Sequence, residues 1–371
     1  MMNEIKNKIL VVCTTDSMIT NFLIPHIDDL KARGHQVECA CSRTGQFMDM
    51  LVNDYHITTH EIDFYRSPFS FANIKALRDL LRLVKKGNYD VIFCHEPVGG
   101  AMGRFAGHLC GIKVVYMAHG FHFFKGAPKK NYLFYVVENL LARWTDVLIT
   151  INSEDYLAST HFACDKRIKL NGIGVDTKKF SYEPNRDYIN TIVDKESVVL
   201  LSVGELIPRK NHEVVIKAIA SLNDKSIHYL VAGEGELMSY LTNLATRLAI
   251  CDQIHLLGYR TDINKLCNAC DIYIMPSLQE GLSVALMEAM AAGNAIIASS
   301  IRGNTDLIDA NGGILVSPCD IKEYAVAIRK LADSKELRKQ MGIYNIKRVK
   351  DYDISFVRKQ MTEVFDIVLG L

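Results

Sequence analysis

The sequence has no surplus of either charge: 43 Lys and Arg stand against 42 Asp and Glu, a net of +1. A chain built to bind nucleic acid along its length would be basic, so that role is excluded for the whole molecule. No uncharged apolar run reaches the ~18–20 residues that cross a bilayer. The longest, AMAAGNAIIASSI over Ala289–Ile301, is broken by Gly293, so membrane contact is expected to be peripheral. No apolar leader is read at the start, where MMNEIKNK passes straight into KILVVCT. Ten cysteines in 371 residues are too sparse for a disulfide scaffold and read as reduced, cytosolic and mostly buried. Cys267 and Cys270 form a C-x-x-C, but no second pair stands at zinc spacing, and the helix pattern INKLCNAC around them reads as core. The first strand turn, CTTDSMIT, has no glycine, so no dinucleotide fingerprint follows it. A Walker A sequence, a G-x-S-x-G elbow and H-E-x-x-H are also missing. The lone D-x-D, Asp351-Tyr352-Asp353, lies far from any strand end and reads as a cap.

What is present is an ordinary globular composition, 49% apolar and 23% charged. The length is about two and a half times the ~150-residue domain norm, so two domains are expected. Charge is shared unevenly: residues 1–180 hold 22 basic and 18 acidic side chains, the remainder 21 and 24. Short Val- and Ile-rich runs alternate with helix-period segments, the pattern of βαβ units. In the first half the runs are KILVVCT (8–14), QVECACS (36–42), YDVIFCH (89–95), KVVYMAHG (113–120) and DVLITIN (146–152). One amphipathic helix is expected between the first two, from Ile19, Phe22, Leu23, Ile27 and Leu30, with Gly34 as its stop. The polar stretch 176–197, with Pro184, reads as the interdomain linker. Alternation restarts with SVVLLSVG (197–204), IHYLVAG (227–233), QIHLLGY (253–259), DIYIMPS (271–277), AIIASS (295–300) and GGILVSP (312–318). The fold class is therefore α/β, two doubly wound Rossmann-like domains, with ligand sites at the carboxyl ends of the strands and a shared cleft.

Three constellations could do chemistry. After DIYIMPS, Glu280-Gly281-Leu282-Ser283 leads into the helix VALMEAMAAG. Ser283 can cap that helix, and the N–H groups of Gly281, Leu282 and Ser283 would face an anion or a sugar hydroxyl. Glu280 would stand at the mouth and Glu288 about two turns inside; an ordinary capped helix with two incidental glutamates is the competing reading. In the turn SVGELIPRKNHE, Arg209 and Lys210 precede a helix and could hold a diphosphate, Arg as a fork and Lys as a point charge. Gly204 and the Gly233-Glu234-Gly235 turn point to the same sheet edge; a solvated basic loop is the alternative. Finally, His119 ends the strand KVVYMAHG, where it either faces a ligand or is a satisfied core residue.

With these residues in place, the chain resembles the retaining glycosyltransferases of family 4, also called group 1, with the GT-B fold. EGLSVALME, between DIYIMPS and AMAAGNAIIAS, carries the likeness, with SVGELIPRKNHEVVIKAI, HYLVAGEGE and HLLGYRTDI. KLNGIGVDTKKF resembles the interdomain junction. AHGFHFFKGAPKKNYLFYVVE and TDVLITINSEDY resemble a bacterial exopolysaccharide or capsule subgroup. The resemblance implies an acceptor-side domain over 1–178, a donor-binding domain over 179–352, and a C-terminal helix of about 353–371 packing back on the first. It implies that Glu288 holds the donor ribose and that Glu280 contacts the transferred sugar near its reacting centre. Lys210 and Arg209 would neutralise the diphosphate, His119 would contact the sugar, and the backbone at Tyr259 and Arg260 would read the base. Two departures stand out. Many members carry Arg where this chain has Glu205, so Arg209 is expected to substitute. The first turn, Thr14-Thr15-Asp16-Ser17, also lacks the common glycine pair.

The implied reaction moves a sugar, with retention, from a nucleoside diphosphate donor, a UDP-sugar for preference, to a glycan or polyprenyl-diphosphate-linked acceptor in surface polysaccharide biosynthesis. No cofactor and no metal is required if Lys210, Arg209 and a helix dipole neutralise the leaving phosphate. A cytoplasmic protein at the inner face of the cell membrane is expected. In SFANIKALRDLLRLVKKG, Ile74, Leu77, Leu81 and Val84 form one stripe and Lys75, Arg78, Arg82 and Lys85 another. FHFFKGAPKKNYLFY adds aromatics beside Lys125, Lys129 and Lys130, a surface suited to anionic lipid. Two alternatives stay open: a UDP-sugar 2-epimerase of the same architecture, and a non-catalytic nucleotide-sugar-binding protein.

Overall fold

The Val- and Ile-rich runs assemble into two parallel sheets. The structure, a computed structural model, describes residues 7–68 and 70–370; the leader reading of residues 1–6 lies outside them. The chain divides into two compact units, Met1–Ile173 with Ser355–Leu371, and Gly174–Ile354.

In the N-terminal unit the strands are β1 (Lys8–Thr15), β2 (Gln36–Ser42), β3 (Thr58–Glu61), β4 (Val91–His95), β5 (Lys113–Ala118), β6 (Val147–Thr150) and β7 (Lys166–Lys169). They lie in the order β3-β2-β1-β4-β5-β6-β7, every pair parallel. The centre of the sheet is apolar on both faces, as a parallel sheet covered by helices demands: Ile9, Leu10, Val11, Val12, Val91 and Ile92 are fully buried. The edges are not. β3 (TTHE) and β7 (KRIK) are polar and partly exposed, so neither shows as an apolar run. Polar edges also discourage pairing with another chain. Glu38 in β2 pins three neighbours, accepting from Lys8 at 2.8 Å, His60 at 2.7 Å and the Tyr89 hydroxyl at 2.6 Å. Burial works against its charge, yet these donors hold the carboxyl down at about 2.

Two helices replace the single one expected between β1 and β2, Asp16–Phe22 and Ile24–Ala32. The break falls at Leu23, and Pro25, which has no N–H to continue a helix, sits in the first turn of the second. Helix Ala72–Gly87 turns Ala76, Leu80 and Val84 to the core. Ile74, expected on that stripe, is exposed beside Phe71. Helix Ile354–Leu369 packs on this unit: Phe365 meets Phe93 edge-on with ring centroids 5.3 Å apart. Arg358 forks Asp29, and Arg33 reaches Asp366.

The C-terminal unit holds β8 (Val198–Val203), β9 (Ile227–Ala232), β10 (Ile254–Leu256), β11 (Ile272–Met275), β12 (Ala295–Ser299) and β13 (Gly313–Val316), in the parallel order β10-β9-β8-β11-β12-β13. Residues 176–197, expected as free linker, are packed into this unit. Phe180, Ile189 and Val193 are buried, and Arg186 bonds the Ala269 carbonyl and Asp271. Three apolar side chains in a polar stretch suffice to tie it down. In both sheets the order reverses beside the first strand of the unit, between β1 and β4 and between β8 and β11. Crossovers there leave to opposite sides and open a crevice at the carboxyl ends.

Phe365 is fully buried, so Phe365→Ala is expected to destabilise the N-terminal unit by about 3–5 kcal/mol in urea unfolding. A loss under ~1 kcal/mol would mean that the helix is docked by its salt bridges instead.

Candidate active site

The crevice of the C-terminal sheet gathers several of the side chains singled out above. β8 ends at Val203, and the chain passes through Gly204 and Glu205 into the one-turn helix Pro208–Lys210. Asn211 follows in the left-handed region, φ 55°, which Asn tolerates better than most residues. Its side-chain amide donates to the carbonyls of Pro276 at 3.0 Å and Pro318 at 2.8 Å. One residue thus ties the ends of β8, β11 and β13 together. This fixes Lys210, whose ammonium lies 2.7 Å from Glu280 Oε1. Arg209 lies 3.4 Å from the same oxygen and donates to the Gln279 carbonyl at 3.0 Å.

Glu280 is buried, and its loop is held from below. Arg302, buried after β12, donates to the Glu280 carbonyl at 3.1 Å. Gly303, φ 81°, lets that support come close, since a Cβ there would stand 2.3 Å from the Gly281 carbonyl oxygen. Ser283 caps helix Val284–Ala291 by accepting from the Leu286 N–H. The N–H groups of Gly281, Leu282 and Ser283 have no partner among the described residues. A cation pair, an acidic oxygen and free N–H groups at a helix start therefore meet in one place, an arrangement able to hold a diphosphate.

On the far side of β8, Gly233 must be glycine, because a Cβ would fall 1.9 Å from the Gly204 carbonyl oxygen. Its N–H bonds the Gly258 carbonyl at 2.8 Å, and Glu234 accepts from the Tyr259 N–H at 3.3 Å. The Tyr259 ring is exposed. Arg260 is turned aside into a two-point pair with Asp262. Glu288 stands apart from this ring of contacts: it is half-buried, and burial pushes its carboxyl up to about 7, with Lys179 pulling the other way. Behind Lys210, His212 pairs with the Tyr229 hydroxyl at 2.9 Å. Burial, then the Lys210 charge, holds its imidazole at about 4.

His119 belongs to the N-terminal unit, at the end of β5. Its Nε2 lies 3.0 Å from Nδ1 of His95 at the end of β4. Burial, then His26, holds His119 at about 4, and burial lowers His95 further, so both rings are neutral at physiological pH. Sequence reasoning missed His95, Glu96, Asn211 and Arg302. For His95 and Glu96 the signal was there, since YDVIFCHE ends a parallel strand just as KVVYMAHG does. Asn211 and Arg302 act through backbone carbonyls, which no side-chain motif displays.

A family model described as glycosyl transferases group 1 matches residues 188–348, and one described as glycosyl transferase 4-like matches residues 8–152. Bacillus subtilis EpsD, named as a glycosyltransferase, is 32% identical over 377 residues, 98% of this chain and 97% of EpsD. This chain belongs to the group 1 glycosyltransferases. An Escherichia coli relative, named UDP-Gal:α-D-GlcNAc-diphosphoundecaprenol α-1,3-galactosyltransferase, is 29% identical over 81% of each chain. Among solved structures, Anabaena HepE in complex with UDP superposes with a TM-score of 0.81 over 97% of this glycosyltransferase and 99% of HepE, at 18% identity. The sucrose-phosphate synthase of Thermosynechococcus elongatus gives 0.80 over 98% and 99%, at 17% identity. The fold is GT-B.

Glu288 sets a pH dependence of stability. Its carboxyl ionises near 7 when folded, against 4.5 as a free side chain. Its contribution is therefore complete below pH 4.5 and lost as pH rises through 7. Glu288→Gln is expected to leave stability nearly unchanged at pH 4 and raise it by on the order of 2 kcal/mol at pH 8. Equal unfolding midpoints for the two proteins at both pH values would contradict a raised carboxyl.

Proposed function

We propose that this enzyme transfers a sugar, with retention, from a UDP-sugar to a lipid-linked glycan in surface polysaccharide biosynthesis. The observation that carries the reading is the Lys210–Glu280 pair, 2.7 Å apart beside the unpartnered N–H groups of residues 281–283. The two side chains satisfy each other at that distance. A diphosphate would draw Lys210 and Arg209 to itself and release the Glu280 carboxylate toward the sugar. The glycosidic C1–O bond to phosphate breaks, leaving negative charge where Lys210, Arg209 and the N–H groups stabilise it. A bond forms from C1 to the acceptor oxygen on the same face, and the acceptor proton passes to the departing phosphate. No side-chain base is then needed. Glu288 takes the ribose hydroxyls, and the backbone at Tyr259 and Arg260 takes the base. The E. coli relative's named substrates support a UDP donor and a polyprenyl-diphosphate acceptor.

For the acceptor, the N-terminal unit offers a surface suited to lipid. Among the described residues no helix is long and apolar enough to cross a membrane. Helix Tyr132–Ala142 nevertheless exposes Tyr132, Leu133, Val136, Val137 and Leu140, with Lys129 and Lys130 in the turn before it. Exposed apolar side chains beside lysines suit an anionic bilayer surface. We place the enzyme there, at the inner face of the cell membrane.

Three site variants and a vesicle assay test these readings. Lys210→Ala is expected to weaken UDP binding by about 10- to 100-fold in calorimetry, and Glu280→Ala to reduce turnover more than affinity. Wild-type UDP affinity should also tighten from pH 6 to pH 8, because ribose hydroxyls donate to an ionised Glu288, and Glu288→Gln should remove that slope. Wild-type binding and rates in all three variants would refute the site. Separately, Leu133→Glu with Leu140→Glu should lower co-sedimentation with vesicles of 7:3 phosphatidylcholine to phosphatidylglycerol by about tenfold. Unchanged sedimentation would remove this helix from the membrane contact.

A further inference from the structure

A chain of buried hydrogen bonds runs behind Lys210, from the helix that follows it to the strand that leads to Glu280. His212 opens helix His212–Leu222 and is buried. Its Nδ1 lies 2.9 Å from the Tyr229 hydroxyl on β9. That hydroxyl stands 2.7 Å from the Ser202 hydroxyl on β8, which donates to the Ile274 carbonyl on β11 at 2.5 Å. Tyr229 and Ser202 are buried as well. β8 and β11 pair at Leu200 with Ile272 and at Leu201 with Tyr273. The Ser202 hydroxyl carries the tie one residue further, toward the crevice.

The direction of every proton in this chain is fixed from its far end. A carbonyl only accepts, so the Ser202 proton is committed to Ile274. Ser202 Oγ then accepts from Tyr229, whose single proton is thereby used. The remaining bond needs a donor on the ring, so His212 carries its proton on Nδ1. Burial, then the Lys210 charge, holds the imidazole at about 4 against the pull of the Glu205 main chain, so this is its one proton at neutral pH. Nε2 is left as a bare lone pair, buried and without a hydrogen-bond partner among the described residues.

An unpartnered nitrogen in the core costs stability, and a leucine would fill the place without one. What the histidine gives instead is direction, because a satisfied polar chain permits one arrangement of its members. Lys210 cannot be held by its own ammonium, which on the proposed mechanism exchanges Glu280 for the diphosphate. Its stem lies against Gly204: a Cβ on that glycine would stand 3.2 Å from Lys210 Cε and 3.6 Å from Nζ. The ammonium is thus aimed from a main chain that has to stay still while its partner changes. Asn211 holds that main chain to the Pro276 and Pro318 carbonyls. The His212 relay holds it, through β9 and β8, to β11.

We propose that His212 is a positioning residue for Lys210: as a neutral imidazole with its proton on Nδ1, it anchors the turn that aims the ammonium at the diphosphate. This rests on the transferase reading above, which gives Lys210 the diphosphate. The test uses the full chain and UDP. His212→Asn places an amide N–H where Nδ1–H stands, and His212→Gln places one where Nε2 stands. By calorimetry, His212→Gln is expected to weaken UDP about tenfold and His212→Asn less than about threefold. In the Lys210→Ala protein, His212→Gln should cost less than about twofold more, because the residue it aims is gone. A long-range proton–nitrogen correlation spectrum of the imidazoles should contain one set of signals that His212→Asn removes, with Nδ1 protonated and Nε2 bare at neutral pH. Tyr229→Phe interrupts the same relay, with a loss of about tenfold expected, and takes the place of His212→Gln if that variant fails to fold. Equal losses for Asn and Gln, an undiminished loss in the Lys210→Ala protein, or a proton on Nε2 overturns the inference. A wild type that binds no UDP overturns the transferase reading instead, and this is seen before any variant is compared.

Discussion

The C-terminal unit is organised around the need to keep one buried carboxylate charged. Glu280 is less than a tenth exposed, and an ionised group at that depth persists only with a partner whose geometry is held. Lys210 supplies the charge, and the surrounding chain supplies the geometry. Asn211 in its left-handed conformation ties three strand ends, and Arg302 with Gly303 supports the Glu280 loop from beneath. Remove any of these and the pair loses register. Each of the polar contacts is made to a main-chain carbonyl rather than to the pair itself. The site's rigidity therefore comes from the backbone of the sheet's carboxyl edge, and only its charge comes from the motif.

That division explains what could be read from the amino-acid sequence. The sheet centres were legible because a parallel strand covered on both faces must be apolar throughout, as in KILVVCT and DIYIMPS. The edge strands β3 and β7 were not, since an exposed edge carries TTHE and KRIK and resembles loop. Ser283 as a cap was legible because cap chemistry is local. Glu280 and the Arg209-Lys210 pair read as separate constellations, and their meeting across 70 residues at 2.7 Å left no mark on either motif. The Pro25 break was legible in principle, but helical periodicity ran smoothly across it. Asn211 and Arg302 were opaque, because a φ angle and a bond to a distant carbonyl leave no mark on residue spacing.

The two sheets solve the same topological problem with opposite chemistry. Each reverses strand order beside its first strand and so leaves main-chain ends uncovered. In the C-terminal unit the crevice offers ammonium, guanidinium and free N–H groups, a field that attracts negative charge. In the N-terminal unit the N–H groups of Thr14 and Thr15 are already taken by Glu96, and Asp16 occupies those of Thr44 and Met48. These main-chain donors are thus taken by the chain's own carboxylates.

The same reasoning bears on Glu205, where the family resemblance implies arginine. Glu205 is exposed, so its charge is screened and costs the site little. Arg209 is placed to compensate, one turn further on. Its guanidinium is anchored by the Gln279 carbonyl at 3.0 Å and stands 3.4 Å from Glu280, with part of its surface still open to solvent. An arginine held by one carbonyl keeps further N–H donors for a phosphate, and its planar fork suits two oxygens at once.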